Sequence, residues 1–184
     1  IRVARCATKK KRIIKMGGAY HGWSDQMVYG TKVPGTRQFL ESYGIPNATF
    51  SVVDEVRPND PKMLEDYLKF NQMRGGTAAV IVEPVGPESG TRPVDFDYNK
   101  TVRELCDKYG VLVMAETNLE SHGLAMFIPK GLKSWRDQCV YRARNMVGRL
   151  RNHPCIISWS LGNEAGYGKN FRIMKEKILE MDKT

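Results

Sequence analysis

Two stretches of this chain concentrate side chains able to do chemistry. The first is Glu116-Thr117-Asn118-Leu119-Glu120-Ser121-His122-Gly123, which follows the apolar run Val111 to Ala115. In an extended segment Glu120 and His122, two residues apart, point to the same side, so a carboxylate and an imidazole can converge on one cation. The second is Ile156-Ile157-Ser158-Trp159-Ser160-Leu161-Gly162-Asn163-Glu164-Ala165-Gly166, an apolar strand ending in an amide and a carboxylate before a glycine-rich turn. Barrel enzymes place their catalytic groups at such strand exits. A capping or ion-paired cluster would use the same residue types. Near the front, Tyr20-His21-Gly22 and Glu83-Pro84 are further polar interruptions. On residue chemistry alone they read as a turn and a strand end.

Positioning these groups requires strands that end together. Short apolar or β-branched runs alternate with segments of helical period, the pattern of βα units around a largely parallel sheet, so an α/β fold is expected. The expected strands are Arg12 to Met16, Thr49 to Val53, Ala78 to Val82, Val111 to Ala115 and Cys155 to Ser160. Asp60-Pro61 predicts a helix start, with Met63, Leu64, Tyr67 and Leu68 on its apolar face. A second helix carries Tyr98, Val102, Leu105, Cys106 and Tyr109, stopped by Gly110. A third spans Trp135 to Arg151, with Trp135, Cys139, Ala143, Met146, Val147 and Leu150 on one stripe, and a last one carries Phe171, Met174, Ile178 and Met181. Such stripes are core, not cofactor sites.

Composition narrows the remaining classes. The 184 residues are 41% hydrophobic and 27% charged, close to the soluble average, which excludes a low-complexity or disordered chain. No apolar run reaches the roughly 20 residues needed to span a bilayer, so the expectation is a cytoplasmic protein without a membrane partner. Cys6, Cys106, Cys139 and Cys155 lack metal or disulfide spacing and read as reduced thiols. The net charge of +9 raises nucleic acid as a partner, but its basic residues fall on solvated faces and no recognition motif accompanies them, so no specific nucleic-acid binding is expected. The chain opens on Ile1 and reads as a fragment.

Three stretches of the back, Glu116 to Gly123, Arg151-Asn152-His153-Pro154 and Trp159 to Gly166, resemble consecutive pieces of the barrel domain of family 2 glycoside hydrolases, particularly β-galactosidases. The resemblance covers about the last 80 residues. It implies Glu164 as general acid/base, Asn163 as a hydrogen-bond partner of the sugar, and Glu120, His122 and Glu164 as ligands of a magnesium ion. A retaining glycosidase needs a second carboxylate about 5 Å from the first as nucleophile. In the family it comes from a later strand, and Glu176 and Glu180 in the last helix read as surface charges.

From Ile1 to about Asp107 the chain resembles class III aminotransferases of the glutamate-1-semialdehyde aminomutase type. The stretches that carry this are Ile13 to Asp25, Ala79 to Gly90 and Val102 to Gly110. The resemblance implies pyridoxal phosphate as cofactor, with Tyr20 stacked on its ring and His21 and Glu83 near it. Pyridoxal chemistry needs an imine-forming lysine and an acid at the pyridine nitrogen. Where the family's aspartate should follow the strand near Val113 stands Ala115, and none of the lysines present has the family's surroundings.

The two resemblances together make the chain chimera-like, with an aminotransferase-like part over residues 1–110 and a barrel-like part over 111–184, joined between Val102 and Val113. The expected function is the acid/base half of a β-galactosidase-type site acting on carbohydrate, inactive without completion. The alternatives are a pyridoxal-phosphate-dependent aminotransferase-like fragment and a non-catalytic fusion or scaffold.

Overall fold

Five consecutive buried residues, Arg12 to Met16, form the middle of a parallel sheet, and a strand covered on both faces has no reason to alternate apolar with polar. The computed structural model describes residues 1–28, 30, 43–83 and 94–183. Those residues divide into two compact units, Ile1–Leu112 and Val113–Thr184.

In the first unit β1 (Arg12–Met16) lies between β2 (Val53–Val56) and β3 (Thr77–Ile81), and all three run parallel. Ile13 pairs with Val53 and Ala79, and Lys15 with Glu55 and Ile81. A short helix, α1 (Arg2–Thr8), precedes the sheet. The segment α2 (Pro61–Gln72) starts as its sequence predicts: the Asp60 carboxylate accepts the Met63 amide at 2.9 Å, and Pro61 occupies the first turn, where a missing N–H costs nothing. Leu64 and Leu68 are its buried apolar residues. The helix α3 (Phe96–Tyr109) buries Tyr98, Val102, Leu105 and Cys106 and ends on Gly110 at φ 62°, a left-handed cap that glycine adopts without steric cost. Ile13, Met27, Phe50, Val53 and Ala78 pack together on the sheet.

The strand expected over Thr49 to Val53 is corrected. Asn47–Val52 is a 3₁₀ helix, and the strand begins only at Val53. The β-branched residues Thr49 and Val52 favour a strand, but two local bonds win. The Thr49 amide donates to the Pro46 carbonyl at 2.9 Å and the Ser51 hydroxyl to the Ala48 carbonyl at 2.7 Å, while Phe50 turns into the core.

The second unit is one β-α-β turn with a further helix. Parallel strands β4 (Val113–Glu116) and β5 (Ile156–Ser160) are connected through α4 (Lys133–Leu150), and α5 (Lys169–Met181) follows. Cys139, Ala143 and Val147 of α4 pack against Phe171, Met174 and Ile178 of α5, and Leu119, Ala165 and the partly buried Trp159 close that core. Trp135, expected on the buried stripe, is exposed at the start of α4. The Trp159 indole donates to Asp182 at 2.9 Å, tying β5 to the end of α5. Met114 and Ile157 on the two strands stay mostly exposed, at 64% and 58%.

The parallel sheets and alternating βα units are the α/β class that the periodicity predicts. All four cysteines are free thiols, buried except Cys6. Among the described residues no helix is long and apolar enough to cross a membrane.

Candidate active and metal-binding site

The ends of β4 and β5 continue side by side past the regular ladder. The Thr117 amide donates to the Ser160 carbonyl at 2.9 Å, and the Ser160 hydroxyl to the Glu116 carboxylate at 2.7 Å. Two residues further on, the Asn163 amide donates to the Leu119 carbonyl at 2.9 Å, and Glu120 and Asn163 form an isolated parallel bridge. Both chains then turn sharply. His122 and Glu164 sit at φ 37° and 42°, a left-handed conformation uncommon for residues with a Cβ. These twin turns aim the two side chains at each other, and the His122 Nδ1 is hydrogen-bonded to the Glu164 carboxylate.

The spacing argument for Glu120 and His122 therefore acquires a third member from more than 40 residues away. One ligand atom from each of Glu120, His122 and Glu164 lies within 4.8 Å of the others, and all three side chains are exposed. Two carboxylates and an imidazole, converging and open to solvent, fit a divalent cation that keeps its remaining positions for water or a ligand. The hydrogen bond to Glu164, and then that carboxylate's charge, raise the His122 pKa above its ordinary value. The pairing thus adds stability at low pH and loses it as pH rises through the raised pKa. A cation requires the neutral imidazole, so proton and metal compete for the same ring. Asn163, beside Glu164, is also exposed, available to a ligand over the same surface.

Close backbone approach makes this arrangement. A Cβ on Gly162, which sits at φ 144°, would lie 2.4 Å from the Leu119 carbonyl oxygen; one on Gly166 would lie 2.3 Å from that of Ala125, and one on Gly168 2.5 Å from that of Lys130. The glycine-rich turn was visible in the sequence, but the partners of its glycines were not. The Glu116–Ser160 pair and the fully buried Asn170 carried no sequence signal, since their roles arise from register and from the fit between loops.

In the first unit, Tyr20 and His21 follow β1 and Glu83 follows β3, so the parallel pairing brings all three to the same end of the sheet. Tyr20 is half exposed and Glu83 partly buried. The remainder of the front motif, from Pro84 to Gly90, lies outside the described residues. Lys15 is fully buried, and its Nζ donates to the Met27 carbonyl at 3.2 Å. Burial first, and then the nearby Lys15 charge, push the His21 pKa down to about 4, against a backbone hydrogen bond with Met16. A histidine held neutral in the fold stabilises it above its ordinary pKa of 6.5, and this contribution is lost as pH falls toward 4. We expect unit 1 to lose about 3 kcal/mol over that interval from His21 alone. Urea unfolding at several pH values, wild type against His21→Gln, reads it as a slope that the variant lacks.

Two family models match the chain. Residues 1–117 match the class III aminotransferases, and residues 89–184 match the TIM barrel domain of family 2 glycosyl hydrolases. The chain belongs to both families. Their matches overlap over residues 89–117, where α3 leads into β4. Curated relatives of the back include a β-galactosidase of Priestia megaterium, 42% identical over 89 residues, covering 44% of this chain and 9% of that protein. Another, a β-galactosidase of Vibrio cholerae, is 44% identical over 80 residues, covering 43% and 8%. The chain thus spans less than a tenth of the length of these relatives. Solved structures similar to this chain include an omega-transaminase from Sphaerobacter thermophilus, with a TM-score of 0.53 and 28% identity over 63% of this chain and 28% of that one. A transaminase with PLP bound has a TM-score of 0.52 and 25% identity over 62% of this chain and 27% of that one.

The aminotransferase match implies pyridoxal phosphate as the cofactor of the front. The described donor set does not fit a covalently held one. The resemblance sets Ala115 where the acid for the pyridine nitrogen belongs, and alanine has no carboxylate to offer. The lysine nearest His21 in sequence, Lys15, is sealed in the core with its ammonium bonded to a main-chain carbonyl. The exposed Tyr20 ring can stack on a planar ligand, but stacking alone supplies neither imine nor proton.

Proposed function

We propose that the second unit is the acid/base half of a retaining, β-galactosidase-type glycoside hydrolase site. The observation that carries this reading is the convergence of Glu120, His122 and Glu164 within 4.8 Å, with Asn163 bridged to Glu120 beside them. Glu164 is the general acid, giving a proton to the departing glycosidic oxygen and then taking one from the attacking water. Asn163 hydrogen-bonds a sugar hydroxyl and orients the ring. Glu120, His122 and Glu164 hold a divalent cation, magnesium in this reading, which when bound supplies positive charge next to the acid/base and fixes its carboxylate.

The other half of the reaction needs a carboxylate on the opposite side of the anomeric carbon. Among the described residues, Glu176 and Glu180 lie exposed on α5, where Glu180 is paired with Lys177 at 2.7 Å. The chain in this reading binds a β-galactoside but does not turn it over unless another polypeptide completes the barrel. Carbohydrate is its partner and the cytoplasm its setting. The first unit contributes an aminotransferase-type framework without the covalent chemistry, and the join falls within the segment that both family models share.

Calorimetric titration of the full chain with magnesium tests the shared role of Glu164. Glu164→Gln keeps the shape and removes the charge. Its affinity should fall by at least the roughly 10–100-fold that losing even an outer-shell partner costs at metal sites. Equal affinities for variant and wild type would remove the metal reading. Thermal unfolding with magnesium and a galactose-type inhibitor tests the sugar: a transition raised by the pair together supports binding.

A further inference from the structure

His122 lies on a strap, residues 119–132, that has little regular structure of its own: one short 3₁₀ turn, His122–Leu124, and a series of turns. A strap of this kind keeps a defined shape only if its main-chain groups are tied down from outside. At its start the Leu119 carbonyl accepts the Asn163 amide at 2.9 Å. Across its middle the Ser121 hydroxyl donates to the Ile128 carbonyl at 2.6 Å, closing the loop that contains His122. At its far end one residue of α5 makes three bonds to the strap. The Asn170 Nδ2 donates to the Pro129 carbonyl at 2.6 Å and to the Leu132 carbonyl at 2.9 Å, and the Asn170 amide donates to the Lys130 carbonyl at 3.0 Å.

Asn170 is fully buried, so these bonds form out of contact with water, where a lost partner is not replaced. Two carbonyl acceptors on one Nδ2 also fix which way the amide faces. Gly168 completes the fastening, since a Cβ there would lie 2.5 Å from the Lys130 carbonyl oxygen.

We propose that Asn170 is a positioning residue for the Glu120/His122/Glu164 site, holding the strap so that His122 meets Glu164. It acts through Pro129, Ile128 and Ser121 and not by touching cation or sugar. The inference rests on the metal-site reading given above.

The discriminating substitution is Asn170→Asp, which keeps the volume but sets a carboxylate oxygen against two carbonyls. Asn170→Ser, which is smaller and retains a donor, serves should the aspartate variant not fold. The control is Asn71→Ala: Asn71 is equally buried but belongs to the first unit, where it donates to Asp54 at 2.8 Å and Thr77 at 3.1 Å. Two readouts are taken on the full chain, amide hydrogen exchange resolved by segment and Mn²⁺ binding followed by electron paramagnetic resonance. The expected result is faster exchange confined to residues 119–132 and 161–166, unchanged protection of β5 and of the middle of α5, and about 10–100-fold weaker Mn²⁺ binding. Asn71→Ala should leave both Mn²⁺ binding and the exchange of residues 119–132 and 161–166 unchanged, with any loosening confined to the first unit. Wild-type exchange in the strap of a folded Asn170 variant would overturn the proposal, as would protection lost evenly across the unit, the mark of a merely structural residue. If wild type binds no Mn²⁺ while the Asn170 variants still loosen the strap selectively, the metal reading fails and the positioning role stands.

Discussion

Replacing Asp54 with alanine should cost the first unit about 3–5 kcal/mol, the loss typical of stripping one partner from a buried ion pair. Asp54 and Arg12 face each other on β2 and β1 with side chains only 6% exposed. Two parallel bonds join them, Nε to Oδ2 at 2.8 Å and Nη2 to Oδ1 at 2.7 Å, and Asn71 donates to the same carboxylate at 2.8 Å. Burial pushes the Asp54 carboxyl pKa up. The hydrogen bonds from Arg12 and Asn71, with the charges of Arg12 and Arg74, bring it below the ordinary carboxylate value. Asp54 therefore stays ionised through neutral pH and contributes stability until acid protonates it. In the variant, Arg12 remains in the core with only the Ser51 carbonyl at 2.9 Å to hold it. The loss is comparable to half the total stability of an ordinary domain. Urea unfolding of the two variants Asp54→Ala and Arg12→Met/Asp54→Leu checks the cause: removing both charges should recover most of what Asp54→Ala loses. Equal losses would mean that the missing volume, not the stranded charge, sets the cost.

Gly162→Ala should disable the site in the second unit. A non-glycine residue at φ 144° costs about 1–3 kcal/mol. The added Cβ also falls 2.4 Å from the Leu119 carbonyl, the acceptor of the Asn163 amide. The turn can relieve that overlap only by moving Asn163 and Glu164 away from Glu120 and His122. Destabilisation and loss of cation binding should therefore appear together. Gly148→Ala is the contrast: its Cβ would meet only the end of Met181 at 3.6 Å, an ordinary contact, and alanine is favoured over glycine within α4 by up to about 1 kcal/mol. Thermal unfolding and magnesium titration should separate the two glycines, the first losing both stability and binding and the second losing neither. A Gly162→Ala chain that binds as well as wild type would show that the close approach is not what assembles the ligands.

The overlap of the two family matches has a physical basis. Residues 89–117 contain a helix, a glycine cap and the start of a parallel strand, a unit that recurs wherever parallel sheets are built. Each family brings strands whose exits carry its chemistry, and each contributes only part of what that chemistry needs. At the back, Glu120, His122 and Glu164, the side chains proposed as acid/base and cation ligands, are together, and no carboxylate opposite them is found among the described residues. At the front, the aromatic and the histidine stand at the sheet end, with no fitting acid or imine lysine among the described residues.

Much of this was legible in the chain itself because it rests on short-range order. Asp60-Pro61 started a helix, Gly110 stopped one, and the apolar runs at Arg12 and Ile156 became strands, since caps, φ preferences and burial periodicity act within a few residues. The extended spacing of Glu120 and His122 put the two side chains on one side of the chain, and the structure brings Glu164 to them. The failure at Thr49 to Val53 has the same origin: side-chain propensity favoured a strand, while Pro46 and Ser51 supplied hydrogen bonds that propensity does not count.

By itself, then, the amino-acid sequence determined the α/β class, most of its strands and helices though not α1 or the 3₁₀ turn before β2, and the residue types able to do chemistry. Only the tertiary structure decided that Glu164 reaches His122, that Arg12 and Lys15 lie inside the core, and that Asn170 fastens the strap. Those facts depend on strand register and on carbonyls so close that a Cβ at Gly162 or Gly168 would overlap them. They are set between segments tens of residues apart, where no local preference operates.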